Sequence, residues 1–157
     1  MTETGSQYLS RALDFINSAE VLCKSLNQGW LPSACLLIGM ASELLAKKQL
    51  LEMGVQTTAL RNPPYGHDLK ALWQVHTHLY AEAELICQDI DCPETFVFAT
   101  HFEALAKGHS RDGNYSLRYH DGVRSFPDPA VLGVIITEIA QRERMRSSQI
   151  IATQPPH

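Results

Sequence analysis

The chain has 157 residues, about one domain's length, and its 45% hydrophobic and 19% charged residues are ordinary for a globular protein. The net charge is −4, which lacks the basic excess typical of proteins that coat nucleic acid non-specifically. No apolar run approaches the length of a membrane helix, and the N-terminus has neither the positive nor the apolar region of a signal peptide. We therefore expect a cytoplasmic protein with no membrane partner.

Apolar residues recur at intervals of three and four along most of the chain, which predicts about five helices. Ser6 is the expected cap of the first helix, and Gly54 is the expected stop of the second. The second helix is apolar most of the way round, a pattern typical of a helix enclosed by others. The predicted helices span Ser6 to about Leu26, Pro32 to about Met53, about His67 to Ile86, about Pro93 to Lys107, and Pro129 to about Ser148.

The segment from Gly108 to Asp128 differs from the rest because it is dense in Gly, Asp, Asn and Ser. It predicts a turn at Arg111–Asn114 and a brief extended piece at Tyr115–Tyr119. The expected fold is therefore all-α, an antiparallel up-and-down bundle of about five helices with a short turn or extended excursion before the last one. Residues 1–149 are expected to form one domain, and residues 150–157 a flexible C-terminal tail.

The cysteines are spread along the chain, and none forms a Cys-x-x-Cys pair. Free cysteines among apolar residues behave as small buried hydrophobes, so we expect buried thiols and neither a metal site nor a redox role. No cofactor is expected. The four are Cys23, Cys35, Cys87 and Cys92.

Glu43 is the most conspicuous polar residue, because it interrupts the most apolar helix. One interpretation is an exposed ion pair with Lys47, four residues later. The interpretation that we favour places the carboxylate inside, where it must find donors. Expected donors are the unpaired N–H groups at the start of the third helix, and Arg118 or Arg124 of the excursion.

His67 and Asp68 follow two prolines and open a helical pattern. The structural interpretation encloses the His67 ring, bonds it to backbone or to Glu43, and uses Asp68 to cap or charge the helix. The chemical interpretation is a metal phosphohydrolase, but no histidine precedes His67 to complete its ligands. His120–Asp121 lies among turn formers, and His76 and His78 would point about 200° apart on a helix. No metal site is expected.

The stretches SACLLIGMASELLAKKQLLEMG, GHDLKALW and YSLRY resemble the HEPN superfamily (higher eukaryote and prokaryote nucleotide-binding domains). The likeness covers roughly residues 8–140. It implies a helical bundle with a buried Glu-x-x-x-Lys helix and a Gly-His-Asp-Leu helix start. It implies binding residues at the matching positions, namely Glu43, Lys47, His67, Asp68, Arg118 and Tyr119.

Active relatives have an Arg and a His with four to six residues between them, usually near the start of the last helix, and cut RNA across a dimer without metal. Here the last helix contains no histidine, and the best spacing match is Arg61 with His67. We therefore expect a non-catalytic binding or scaffold module that acts through RNA, a nucleotide or a protein partner. The alternative is a ribonuclease using Arg61 and His67, with Arg118 and His120 as further candidates.

The resemblance also bears on assembly. It implies a homodimer, and the apolar circumference of the second helix gives a second reason to expect one. Partners expected from the family include a nucleotidyltransferase or an antitoxin, in a toxin–antitoxin or defence context.

Overall fold

The computed structural model describes residues 4–25, 31–110 and 127–152. The described residues form an all-α bundle of six helices with no strand, which confirms the predicted fold class. The predicted excursion lies almost entirely outside the described residues, so its turn and extended piece stay predictions. The helices are α1 (Gly5–Cys23), α2 (Leu31–Glu52), α3 (Leu69–Val75), α4 (Thr77–Asp89), α5 (Phe98–His109) and α6 (Pro129–Ala152).

The predicted cap of α1 was wrong by two residues. Thr4 is the cap, and it exchanges hydrogen bonds with Gln7 in a reciprocal capping box, whereas Ser6 already lies inside the helix. The stop of α2 is as predicted. Gly54 adopts φ +89°, and the N–H of Val55 reaches back to the carbonyl of Leu50, the geometry of a glycine-terminated helix.

The single third helix predicted from His67 to Ile86 was also wrong, because the chain breaks at His76. This residue leaves the helical region (φ −113°, ψ 67°) and ends α3 while α4 begins after it. Its buried ring lies 3.1 Å from the carbonyl oxygen of Ala46 in α2. This tertiary hydrogen bond compensates for the helical hydrogen bonds that are interrupted at His76. The break also brings the rings of His76 and His78 edge to face at 5.6 Å, not on opposite sides of one helix.

The core is built around α2, which contacts α1, α3, α5 and α6. Gly5 lies beside Lys48 and Glu52, so α1 runs antiparallel to α2. Ile38 and Leu45 are fully buried, as expected for a helix that is apolar most of the way round. The bundle thus encloses the middle of α2, where Glu43 also lies.

The ends of the remaining helices differ modestly from the predictions. Helix α5 begins at Phe98, five residues after the predicted start, and α6 continues to Ala152.

Of the cysteines, only Cys35 is fully enclosed, and the other three are partly buried. None of the helices in the described ranges combines the length and the apolar character needed to cross a membrane.

Candidate functional site

The site centres on Glu43, which the middle of α2 carries into the bundle. Its side chain is buried, as predicted, and it accepts hydrogen bonds from three different segments. Lys47, one turn along α2, donates at 2.7 Å, and the rings of His67 and His109 lie 3.1 Å and 2.7 Å from Oε2. The predicted bond to the segment around His67 is therefore present. The Lys47 pair is also present, but it is buried and not exposed.

The charge state of Glu43 fixes where the protons lie. Burial alone would raise its pKa, but the hydrogen bonds and charges of His109 and Lys47 outweigh burial and hold the pKa at about 2. Glu43 is thus a carboxylate at neutral pH, which can only accept hydrogen bonds. It follows that Nε2 of His109 and Nδ1 of His67 each carry the hydrogen that points at Glu43.

His109 is the member of the site that the sequence analysis missed. It lies at the end of α5, is fully buried, and reaches Glu43 across the face of α2 at Gly39. A Cβ built on Gly39 would lie 2.7 Å from Nδ1 of His109, so the ring fits only because that position has no side chain. The missing side chain at Gly39 therefore lets the His109 ring approach the face of α2.

Ser110, the residue after α5, bonds to the backbone at the start of α3, beside His67. Its hydroxyl donates to the carbonyl of His67 and accepts the N–H of Leu69, both at 3.2 Å. Asp68 caps α3, as predicted, by accepting the N–H of Ala71 at 3.0 Å. The N–H groups of the α3 start are therefore satisfied by Ser110 and Asp68. The prediction that they donate to Glu43 was wrong.

His67 combines features of both interpretations offered for it. Its ring bonds to Glu43, as the structural interpretation requires, but half of its side chain is exposed, so the predicted enclosure was wrong. The buried carboxylate therefore fixes Nδ1 of an imidazole whose side chain is half exposed. A histidine held in this way has a fixed orientation and tautomer.

The remaining predicted site residues lie in the loop before α3 or outside the described residues. Arg61 is exposed and ends a short 3₁₀ turn (Ala59–Arg61) six positions before His67. Arg118 and Tyr119 fall outside the described residues, as do Arg124 and His120. They belong to residues 111–126, which follow Ser110 in the sequence.

Glu43, His67 and His109 are also the one group of three potential metal ligands among the described residues. Their ligand atoms lie within 4.8 Å of one another. Around a tetrahedral zinc ion, ligand atoms 2.0–2.2 Å from the metal lie about 3.3–3.6 Å apart. The two nitrogens lie 2.7 and 3.1 Å from the same carboxylate oxygen, which is hydrogen-bond spacing, and both carry hydrogens. Lys47 adds a cation to the same carboxylate, so the arrangement is that of an ion and hydrogen-bond network.

A second buried network, also missed from the sequence, lies farther along α2. Lys48 is almost fully buried and donates to Glu52 at 2.7 Å and to Glu143 of α6 at 2.8 Å. Glu143 also bonds to Arg146, which reaches Glu82 of α4 at 2.9 Å. This network joins three helices through the buried side chains of Lys48, Glu82 and Glu143, so we assign it a structural role.

Comparison of the chain with protein-family models, with curated proteins and with solved structures finds no match.

Proposed function

We propose that the protein is a HEPN-like helical module that binds RNA, a nucleotide or a protein partner through the surface around His67, and that it is not an efficient enzyme. The observation that carries the proposal is the half-exposed imidazole of His67, held from beneath by the buried carboxylate of Glu43. Groups that are fixed before a ligand arrives lose little conformational entropy on binding. The three segments that meet at Glu43 therefore support a pre-organised recognition surface.

Binding is favoured over catalysis by the histidines of the described chain. Acid–base cleavage of RNA needs one group to remove a proton and another to supply one. Of the two histidines in the site, only His67 is exposed. His109 is fully buried and bonded to Glu43. The start of the last helix, where active HEPN proteins carry their histidine, has none in this chain. The site residues described thus support recognition better than proton transfer.

The alternative is a metal-independent HEPN-type ribonuclease that uses Arg61 and His67. The specific observation in its favour is the His67–Glu43 contact, since a carboxylate that orients a histidine is a recurring device of general bases. In this alternative Nε2 of His67 would exchange the proton, and Arg61 would bind the phosphate.

One experiment distinguishes the two functions. Purified protein is incubated with a fluorescent single-stranded RNA, and separately with nucleotides, in the presence of a metal chelator, and both binding and cleavage are measured. The binding proposal expects anisotropy changes that weaken in His67→Ala and no cleavage. The matched control is His78→Ala, which removes an exposed histidine away from the site. Robust cleavage that vanishes in a folded His67→Ala variant would establish the ribonuclease instead.

A protein that bound neither RNA nor nucleotides would leave a protein partner as the ligand. From the family resemblance we propose a nucleotidyltransferase or an antitoxin for that role, a toxin–antitoxin or defence context, and a cytoplasmic location. We also propose a two-fold homodimer, the commonest closed assembly. The apolar surface of α2 now supports the dimer less strongly, because Ile38 and Leu45 are already buried within a single chain. Exposed apolar side chains elsewhere, such as Val21 and Val134, give a dimer other surface to bury.

A further inference from the structure

The end of α4 brings two cysteines together. Cys87 lies in the last turn of α4, and Cys92 lies just beyond its end, with their sulfur atoms 3.0 Å apart. Asp91 between them adopts a positive φ of 51°, the left-handed conformation that turns a chain back after a helix. Both side chains also pack against the hydrophobic core. The backbone turn and the packing, not flexible side chains alone, therefore hold the two thiols in contact.

The surroundings of this pair distinguish between metal binding and covalent pairing. Structural zinc needs four ligands, and in the described parts of the chain no third ligand group joins Cys87 and Cys92. A disulfide needs only the pair, with sulfur atoms about 2.05 Å apart. The sulfurs must then approach by about 1 Å, which rotation about the side-chain bonds can supply.

We propose that Cys87 and Cys92 form a reversible oxidation site, which a low-molecular-weight disulfide such as oxidised glutathione converts to an intramolecular disulfide. This inference is independent of the function proposed for the His67 surface. It also departs from the expectation of inert buried thiols, which rested on cysteine spacing and could not show the turn at Asp91.

The reaction takes place in two exchange steps. The Cys92 thiolate attacks one sulfur of oxidised glutathione, forms a mixed disulfide and releases one glutathione thiolate. The Cys87 thiolate then attacks the Cys92 sulfur, closes the protein disulfide and releases the second glutathione. The two protein thiols lose two protons and two electrons, and the electrons reduce one glutathione disulfide to two thiols.

The raised pKa of Cys87 supports this order of the two steps. Burial, the hydrogen bond with Cys92, and the charges of Cys92 and Glu84 raise the pKa of Cys87 to about 12. A raised pKa keeps the proton on Cys87 while Cys92 is free, which favours the first attack by Cys92. Once Cys92 is in a mixed disulfide, it can no longer carry a charge, and as an uncharged sulfur it no longer accepts a strong hydrogen bond from the Cys87 thiol. Two causes of the raised pKa then disappear, and Cys87 becomes a better nucleophile for the second step.

The test uses the full chain equilibrated in mixtures of reduced and oxidised glutathione, quenched with acid and alkylated. The expected product is a single chain, with no disulfide to another chain, that has lost two hydrogens by intact mass. Digestion with a protease that cleaves before aspartate maps the bond, because Asp89 and Asp91 lie between the two cysteines. Reduced protein gives Cys87 and Cys92 in separate peptides, whereas the disulfide joins them.

The matched variants are Cys87→Ser, Cys92→Ser and Cys23→Ser. We expect Cys87→Ser to stop at a glutathione adduct on Cys92, and Cys23→Ser to form the disulfide to the same extent as wild type. Circular dichroism verifies the fold of each variant, and the wild-type peptide map stands even if a variant unfolds. The proposal fails if Cys87 and Cys92 are both recovered alkylated from the most oxidising mixture. It also fails if the bond joins different chains or another cysteine.

Discussion

The fit between Gly39 and His109 gives a sharp prediction, because a single methyl group should disturb the whole site. In Gly39→Ala the new Cβ would lie 2.7 Å from Nδ1 and 3.1 Å from Cγ of the His109 ring. A Cβ atom essentially never lies as close as 2.7 Å to another heavy atom that is not bonded to it, so the ring must move. It cannot move freely, because it is fully buried and its Nε2 is bonded to Glu43.

The expected cost follows from two opposing effects. Alanine in the middle of a helix is favoured over glycine by about 1 kcal/mol. Overpacking a tight core typically costs about 1–3 kcal/mol, and displacing His109 also weakens a hydrogen bond to a buried carboxylate. We therefore expect Gly39→Ala to lower the free energy of unfolding by about 1–2 kcal/mol net. For a chain of this length, the melting temperature should fall by about 2–8 °C.

The matched control is Gly133→Ala in α6, the same change inside another helix. Its Cβ would lie 3.7 Å from the nearest atom, Cδ1 of Ile38, which is an ordinary van der Waals contact. The control should therefore gain about 0.5–1 kcal/mol from helix propensity alone. Thermal and urea unfolding of both variants measure whether the free energy of unfolding falls in Gly39→Ala and rises in Gly133→Ala. Combining Gly39→Ala with His109→Ala should make the Gly39 change harmless, since the clashing ring is gone.

A Gly39→Ala protein as stable as wild type would refute the reasoning. It would mean that the His109 ring has another position available and that its bond to Glu43 is dispensable. A destabilised variant whose cost persists in the His109→Ala background would locate the strain elsewhere along α2.

The remaining predictions concern acid stability, helix capping and assembly. Because the Glu43 pKa is lowered from 4.5 to about 2, the unfolded chain takes up the proton first, and up to about 3 kcal/mol of stability should be lost as pH falls through that window. Acid titrations of unfolding should show this slope in wild type and in the exposed control Glu20→Gln, and a smaller slope in Glu43→Gln, where the lowered pKa of Glu143 still contributes. Asp68→Ala should cost about 1 kcal/mol by removing the α3 cap, and Asp68→Ser should restore most of it, as chemical denaturation can measure. Light scattering at micromolar concentration should give twice the 17.5 kDa chain mass, and a strict monomer would exclude the homodimer.

Periodicity and helix-end chemistry predicted the fold class well because they are local properties. The glycine stop at Gly54, the cap at Asp68 and the buried face of α2 each depend on residues within a turn or two. The break at His76 could not be predicted in this way. It depends on a hydrogen bond to Ala46, thirty positions away in the chain, which competes successfully with the local helical pattern.

The same limit applies to the candidate site. An interior position for Glu43 followed from the apolar helix around it, and the contact with His67 followed from the need for donors. His109 gave no comparable indication, because a histidine at the boundary of a Gly- and Ser-rich segment resembles any loop residue. The available sign was at the other end of the contact. Gly39, a residue without a side chain on a helix that is otherwise densely packed, marked the place where a bulky neighbour could enter.

The buried carboxylate is therefore best understood through what it organises. Glu43 accepts hydrogen bonds from Lys47, His67 and His109, which come from α2, the loop before α3 and the end of α5. Removing one partner of such a network strands the others, whereas each intact contact restricts a different segment. Of the three, only His67 is substantially exposed, so rigidity built inside the bundle is transmitted to the surface at that ring. This coupling predicts that Glu43→Gln should weaken ligand binding at His67 although residue 43 itself is out of the ligand's reach. An anisotropy titration in which Glu43→Gln binds as tightly as wild type would separate the network from the binding surface.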